Sequence, residues 1–251
     1  MHFCGLGSGS KGNATLVRHQ QTLLLIDCGF NLKQTQQLLA QRGCVASDIT
    51  AILVTHEHSD HIQGVKALAK RFQLPVYMSA GTARSNKIDD SIDIRLLQLN
   101  VPLQLGEVMI VPVAVPHDAR EPCQFTFQVD SKKLGILTDL GSISAHVRAS
   151  YQDCDALLLE ANHDVAMLMN GVYPPSLKQR VVGDWGHLSN AQARDFLLQY
   201  ESLRLNTLVL GHISDKNNAL GLVEQYFEGF SDKIGNIHYA SQHQGFDWLR
   251  V

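Results

Sequence analysis

Four side chains able to hold a metal ion fall within six consecutive residues, His56-x-His58-x-Asp60-His61, directly after the apolar run Ala51-Ile52-Leu53-Val54. Few folds accept that density of ligand-type groups at the end of a buried strand. His56 and His58 lie two apart, so an extended or turning backbone aims both at one ion. Asp60 and His61 stand at the start of a helix pattern and turn to a different direction. That spacing suits two neighbouring ions better than one. Imidazole and carboxylate donors fit zinc, and also manganese or iron. Two ions about 3.5–4 Å apart hold a hydroxide between them near neutral pH and clamp the attacked centre. The plain alternative, a polar loop whose histidines cap a helix, does not account for this density.

The remaining sequence frames the site. With 251 residues the chain is long enough for one large α/β domain, and no linker, charge block or repeat divides 1–251. No apolar run of about 18 residues suggests a membrane span, and the start lacks the pattern of a secretion signal. Five cysteines, at 4, 28, 44, 123 and 154, form no Cys-x-x-Cys pair. They read as reduced thiols of a cytoplasmic protein. The net charge of −3 does not favour broad nonspecific coating of nucleic acid, although a local basic groove is compatible with it.

Strand patterns are expected at 2–5, 14–18, 22–27, 51–54 and 75–78, and helices at 31–42 and 60–72. The middle reads as strands at 107–114, 123–129 and 133–138. Further strands are expected at 156–160, 207–210, 235–240 and 246–249. Helices are expected at 189–201, opened by Ser189 or Asn190, and at 217–228. Strands gathered in the middle with helices at both ends suggest two packed sheets with helices outside.

The segment Thr55-His-x-His-x-Asp-His61 resembles the signature of the metallo-β-lactamase-fold superfamily. The resemblance implies a four-layer αββα sandwich with metals at one edge between the sheets. It also implies further ligands at strand ends: His117 after 107–114, Asp139 after 133–138 as an aspartate shared by both ions, and His212 after 207–210. On this reading His56, His58, His117 and Asp139 hold one ion, and Asp60, His61, His212 and Asp139 hold the other. Asp27 matches an aspartate standing behind the ligands.

Gly7-x-Gly9-x-x-Gly12 satisfies a dinucleotide fingerprint, but strand-like residues follow it where that motif needs a helix. It reads instead as a tight turn between the first strands, with Asn13 a candidate substrate contact. Together with Leu159-Glu-Ala-Asn-His-Asp164, Gly171-x-Tyr173-Pro174, Leu177-Lys-x-Arg180 and Gly186-His-Leu-Ser-Asn190, this turn is similar to the YycJ (WalJ) branch, related to the tRNase Z and PhnP phosphodiesterases. That branch implies 5′→3′ exonuclease action on DNA. His187 resembles a non-metal histidine beside the scissile phosphate that protonates the leaving oxygen, against the plainer reading of a helix-capping residue. Ser189, Asn162, His163, Lys178 and Arg180 are candidate substrate contacts, with capping or solvated-surface roles as the plain alternatives.

The mechanism implied is attack by a metal-bridging hydroxide, oriented by Asp60 or Asp139. The expected partners are a nucleic acid or a small phosphodiester, with no membrane and no obligate protein partner. One rival is a carboxyl-ester, lactone or thioester hydrolase on the same dimetal centre. Another, from a different class, is a noncatalytic metal-binding regulatory module.

Overall fold

The structure is a computed structural model and describes residues 1–85, 91–200 and 204–251. The most hydrophobic stretches of the sequence become strands buried on both faces. The first sheet is built from β1 (His2–Gly7), β2 (Ala14–His19), β3 (Thr22–Ile26), β4 (Ala51–Leu53), β5 (Val76–Ser79) and β6 (Ile94–Leu97). The second runs through β7 (Leu103–Leu105), β8 (Val108–Ala114), β9 (Cys123–Val129), β10 (Lys132–Leu137), β11 (Ala156–Glu160), β12 (Thr207–Gly211) and β13 (Asn236–Tyr239). The chain then returns to the first sheet, where β14 (Phe246–Arg250) pairs antiparallel with β1.

Both sheets follow one plan. An antiparallel meander, β1–β3 or β7–β10, leads into parallel strands, β3–β6 or β10–β13. Alternation along each strand sorts side chains between layers. In β3, Leu24 and Ile26 face the core between the sheets, while Leu23 and Leu25 face an outer core. In β11, Leu158 points inward and Leu157 and Leu159 point outward. The inter-sheet core centres on Phe3, Phe125 and Phe127, all fully buried.

Helices cover the outer faces. On the first sheet, α1 (Leu32–Gln41) and α3 (Val65–Phe72) bury Leu39, Val65 and Leu68; the short α2 (Ser59–Ile62) and α4 (Ala80–Ala83) follow β4 and β5. On the second sheet, α5 (Ala145–Tyr151), α8 (Asn190–Leu198) and α9 (Leu220–Phe227) bury Tyr151, Phe196 and Phe227. The remaining helices, α6 (Val165–Asn170) and α7 (Pro175–Val182), lie between β11 and α8 in the chain. The arrangement is the αββα sandwich of the metallo-β-lactamase fold.

Two boundaries depart from the pattern read in the sequence. The helix expected at 60–72 is divided into α2 and α3 at Gly64. There the backbone N–H donates to the Cys28 carbonyl at 2.8 Å, and a Cβ would stand 1.9 Å from the Phe30 carbonyl. The helix expected from 217 begins at Leu220, because Asn217 and Asn218 are buried in the preceding turn. Asn218 spends its amide on Ala161 and Asn190. The helix expected at 189–201 runs as α8, opened by Ser189; its expected last residue, 201, lies outside the described residues.

Gly29 is where the fold and the site constrain each other most closely, since a Cβ there would lie 1.8 Å from the Asp60 carbonyl. Gly29→Ala is expected to lower the unfolding free energy by about 1–3 kcal/mol in a urea titration, as overpacking does. A loss below about 0.5 kcal/mol, the size of a neutral surface change, would mean that this turn relaxes freely.

Candidate metal centre

The carboxyl ends of β3, β4, β10, β11 and β12 meet at one edge, and each delivers a polar residue there. After β3 comes Asp27, after β4 the segment Thr55–His61, after β10 Asp139, at the end of β11 Glu160, and after β12 His212. Asp27, Asp139 and His212 have φ of +60°, +54° and +52°. This left-handed backbone costs about 1–3 kcal/mol per residue and is tolerated better by Asp, Asn and His than by most side chains. It turns the chain sharply out of the strand. His117 arrives from the antiparallel side, after β8.

The ligand-type atoms converge. His56, His58 and His117 form one group of nitrogens lying within 4.8 Å of one another; Asp60, His61 and His212 form a second; His56, His61 and Asp139 form a group between them. His117 Nε2 is 3.3 Å from His58 Nδ1. The Asp139 carboxylate reaches both His61 Nε2, at 3.4 Å, and His212 Nε2, at 3.3 Å. Asp60 Oδ2 lies 3.5 Å from His61 Nε2 and 3.8 Å from His212 Nε2.

Behind these atoms, polar groups fix which nitrogen of each ring is free. His61 Nδ1–H donates to Asp27 Oδ2 at 2.7 Å. The Thr55 hydroxyl donates to the same oxygen at 2.8 Å and receives His56 Nδ1–H at 2.9 Å. The Gly186 carbonyl accepts from His117 Nδ1 at 3.0 Å. His212 Nδ1 faces Glu160 Oε1 at 3.2 Å. For His61, His56 and His117 the neutral ring then keeps its proton on Nδ1 and leaves Nε2 free to accept, the tautomer that metal ligation requires. Buried polar atoms are seldom unpartnered. Yet His56 Nε2, His212 Nε2 and Asp139 Oδ2 all are, and all three belong to this cluster. Orphaned lone pairs on imidazole and carboxylate are what a divalent cation satisfies, and the donor set fits one.

His187 stands beside the cluster, its ring stacked on His212 with centroids 5.2 Å apart. Its Nδ1 is 2.8 Å from Glu160 Oε1. The fully buried Glu160 also accepts from the Leu140 and Leu188 amides through Oε2, at 3.2 and 3.1 Å. Glu160 was not singled out from the sequence. A carboxylate closing the otherwise apolar run Ala156-Leu-Leu-Leu-Glu160, buried on both faces, was the signal available.

A cavity of about 380 Å³ opens over these residues; Asp60, Asp139, Asn162, Arg180, His187 and His212 are among those lining it. Asn13, buried and outside this lining, has its amide nitrogen 3.1 Å from His61 Nε2 and 3.3 Å from Asp60 Oδ2. Arg180 is paired with Asp118, whose other oxygen lies 3.8 Å from His58 Nε2. The Asn162 amide donates to the His212 carbonyl. Three expected contacts are placed otherwise. Ser189 is consumed by a capping box with Gln192, Lys178 donates to the Met169 carbonyl, and His163 is buried outside the cavity lining.

The charges are mutually dependent. Burial opposes ionisation of Asp139, yet the His212 and His61 rings hold its carboxyl well below the usual range. Burial likewise opposes protonation of His61, and Asp139, Asp27 and Asp60 reverse that. For His212 burial is again outweighed, by Asp139, Asp60 and Glu160, and the ring is pushed up to about 10. His117 moves the other way, to about 4, because burial dominates. In metal-free protein, protons on His61 and His212 therefore occupy the place of cationic charge. A histidine raised on folding stabilises below its ordinary value, and the contribution is lost as pH climbs through the folded value, about 10 for His212. Metal-free protein should lose stability between pH 6.5 and 10, while metal affinity rises over the same window. Calorimetric titration with zinc at pH 7.5, in buffers of different ionisation enthalpy, should show net proton release. Release of none would contradict this charge assignment.

Comparison with known proteins agrees with this geometry. A family profile described as the β-lactamase superfamily domain matches residues 22–213. The exodeoxyribonuclease WalJ of Streptococcus pneumoniae (strain D39) is 36% identical over 220 residues, covering 85% of this chain and 81% of that protein. The exodeoxyribonuclease YycJ of Bacillus anthracis is 34% identical over 230 residues, covering 87% and 84%. Among solved structures, the metallo-β-lactamase-fold protein YhfI of Bacillus subtilis aligns with a TM-score of 0.75 at 18% identity, over 99% of this chain and 98% of that one. With the profile spanning most of the chain and two relatives above 30% identity, the protein belongs to the β-lactamase superfamily, beside the WalJ and YycJ exodeoxyribonucleases.

Proposed function

We propose that this chain is an exodeoxyribonuclease that hydrolyses phosphodiester bonds with two divalent ions, zinc or manganese being the best suited to its all-nitrogen-and-oxygen donors. The observation that carries the reading is His187, held by Glu160 at 2.8 Å and lining the same cavity as Asp60, Asp139 and His212. A metal cluster alone is compatible with many hydrolyses. An imidazole locked by a buried carboxylate at its edge adds a proton donor for an alkoxide leaving group. The names of the WalJ and YycJ relatives support DNA as the polymer.

On this reading His56 Nε2, His58 Nδ1 and His117 Nε2 would hold one ion, His61 Nε2, His212 Nε2 and Asp60 the other, and Asp139 would serve both. Glu160 stays outside, because both its oxygens already accept hydrogen bonds. The ions, when bound, supply the Lewis acidity that brings water near a neutral pKa and draws charge from the phosphoryl oxygens. Asp60, mostly buried in the cavity lining, would orient the attacking water. His187 accepts no metal; its Nδ1–H is committed to Glu160, and Nε2 carries the proton to the leaving oxygen. Glu160 fixes that tautomer and steadies the imidazolium that forms before transfer. Arg180, held by Asp118, presents positive charge to a substrate phosphate.

We further propose that residues 1–251 act as one domain, which the inter-sheet core shared by both halves supports. The five buried free thiols suit the cytoplasm. No helix among the described residues is long and apolar enough to cross a membrane.

The test is a panel of duplex and single-stranded DNA differing in the 5′ end, with RNA, a small phosphodiester and a lactone alongside, and with metal varied. Chelator should abolish phosphodiester cleavage, and manganese or zinc should restore it. His187→Ala should lower kcat by about 10²–10⁴ while metal content measured by mass spectrometry is unchanged. Loss of metal in that variant would make His187 a ligand. Metal-loaded protein that cleaves the lactone and no phosphodiester would overturn the reading.

A further inference from the structure

The chain has two tryptophans, and the structure treats them differently. Trp248 is built into the fold: its indole N–H donates to the Arg42 carbonyl at 3.0 Å, and the Arg18 guanidinium lies 4.8 Å from its ring centre. Trp185 is 62% exposed. Among the described residues its side chain enters no hydrogen bond, ring contact or cation pairing. Only its backbone is engaged, the carbonyl accepting from Asp118 N at 3.0 Å. An indole left in water sacrifices a large burial energy, so its place in the molecule matters.

That place adjoins the metal centre along the chain. Trp185 precedes Gly186, whose carbonyl fixes His117, and stands two residues before His187. Two trans peptide steps keep the Trp185 and His187 Cα atoms within about 7.6 Å. The backbone it anchors is that of Asp118, which pairs with Arg180 on the cavity wall. The cavity, at about 380 Å³, is near the lower end of small-ligand pockets. A polynucleotide must therefore continue across the rim. The exposed indole of Trp185 lies in the segment bonded to Asp118, and Asp118 holds the Arg180 guanidinium in the cavity lining; proteins combine such groups to hold unpaired bases and the adjoining phosphate.

We infer that Trp185 is a stacking platform for the nucleobase flanking the scissile phosphate on the side of His187. The proposal deepens the phosphodiesterase reading and rests on it. A stacked base would hold the end of the strand splayed, so that its phosphate reaches the metal ligands while the leaving oxygen faces His187. Trp185 is thus a positioning residue that acts through substrate binding and takes no part in proton transfer.

The test is a double-mutant cycle between protein and DNA, with the metal-loaded enzyme and duplexes whose terminal nucleotide carries a base or is abasic. With the normal end, Trp185→Ala should raise KM about tenfold, the scale of one base stack, with kcat and metal content unchanged. Trp185→Phe should recover most of that loss. Removing the base should cost the wild type a similar factor and the alanine variant almost nothing more. In a Trp248→Phe background, a duplex with phosphorothioate terminal linkages should quench the Trp185 fluorescence, and its abasic counterpart should not. Independent effects of the two changes, or no quenching, would overturn the role of Trp185 while leaving DNA cleavage in place. Absence of any phosphodiester cleavage by the metal-loaded enzyme would instead overturn the underlying reading, and with it this one.

Discussion

A carboxylate buried as completely as that of Asp139, 2% exposed, cannot stay ionised without positive charge beside it. The rest of the site follows from that requirement. In the protein alone, His61 and His212 meet it by holding protons between Asp27, Asp60, Asp139 and Glu160. One Asp139 oxygen still lacks a partner, as do the nitrogens of His56 and His212. A divalent ion supplies more charge than a proton and coordinates several lone pairs at once. The fold brings together groups that would repel or desolvate one another at high cost, and a bound metal would relieve that cost.

The two sheets make the convergence possible. Each ends its antiparallel half in a strand that begins a parallel half, β3 in one and β10 in the other. Parallel strands direct their carboxyl ends to one edge, and ligands gather at such edges. The left-handed turns at Asp27, Asp139 and His212 then aim polar side chains out of an apolar stack. Those turns, and the contact between Gly29 and Asp60, place local strain where the metal ligands are set.

Much of this was legible in the sequence because apolar runs and strand-end polar residues coincide. Leu23 to Ile26 and Leu208 to Leu210 read directly as strands, while Asp27 and His212 after them read as candidate site residues only through the family resemblance. The cluster around Thr55–His61, Asp139 and His212 likewise follows from one dense motif and its resemblance. What did not read were features fixed by tertiary contact. The short edge strands β6 and β7 and the helices α4 to α7 have weak or broken periodicity, as in the burial alternation of Ile94–Leu97. Gly64 splits a helix because of Phe30 and Cys28, which are distant in sequence. Glu160 was overlooked since its importance lies in contacts with His187 and His212, 27 and 52 residues further on. Ser189 takes the helix-capping role read from the sequence, and its hydroxyl is spent there, with Gln192.

The central claim, that Asp139 joins two ions, is tested most directly by anomalous diffraction from zinc- or manganese-loaded crystals. Two peaks about 3.5–4 Å apart are expected. One should be bounded by His56, His58 and His117, the other by Asp60, His61 and His212, with Asp139 in contact with both. A single fully occupied ion, or an ion held by Glu160 and His187, would contradict the account.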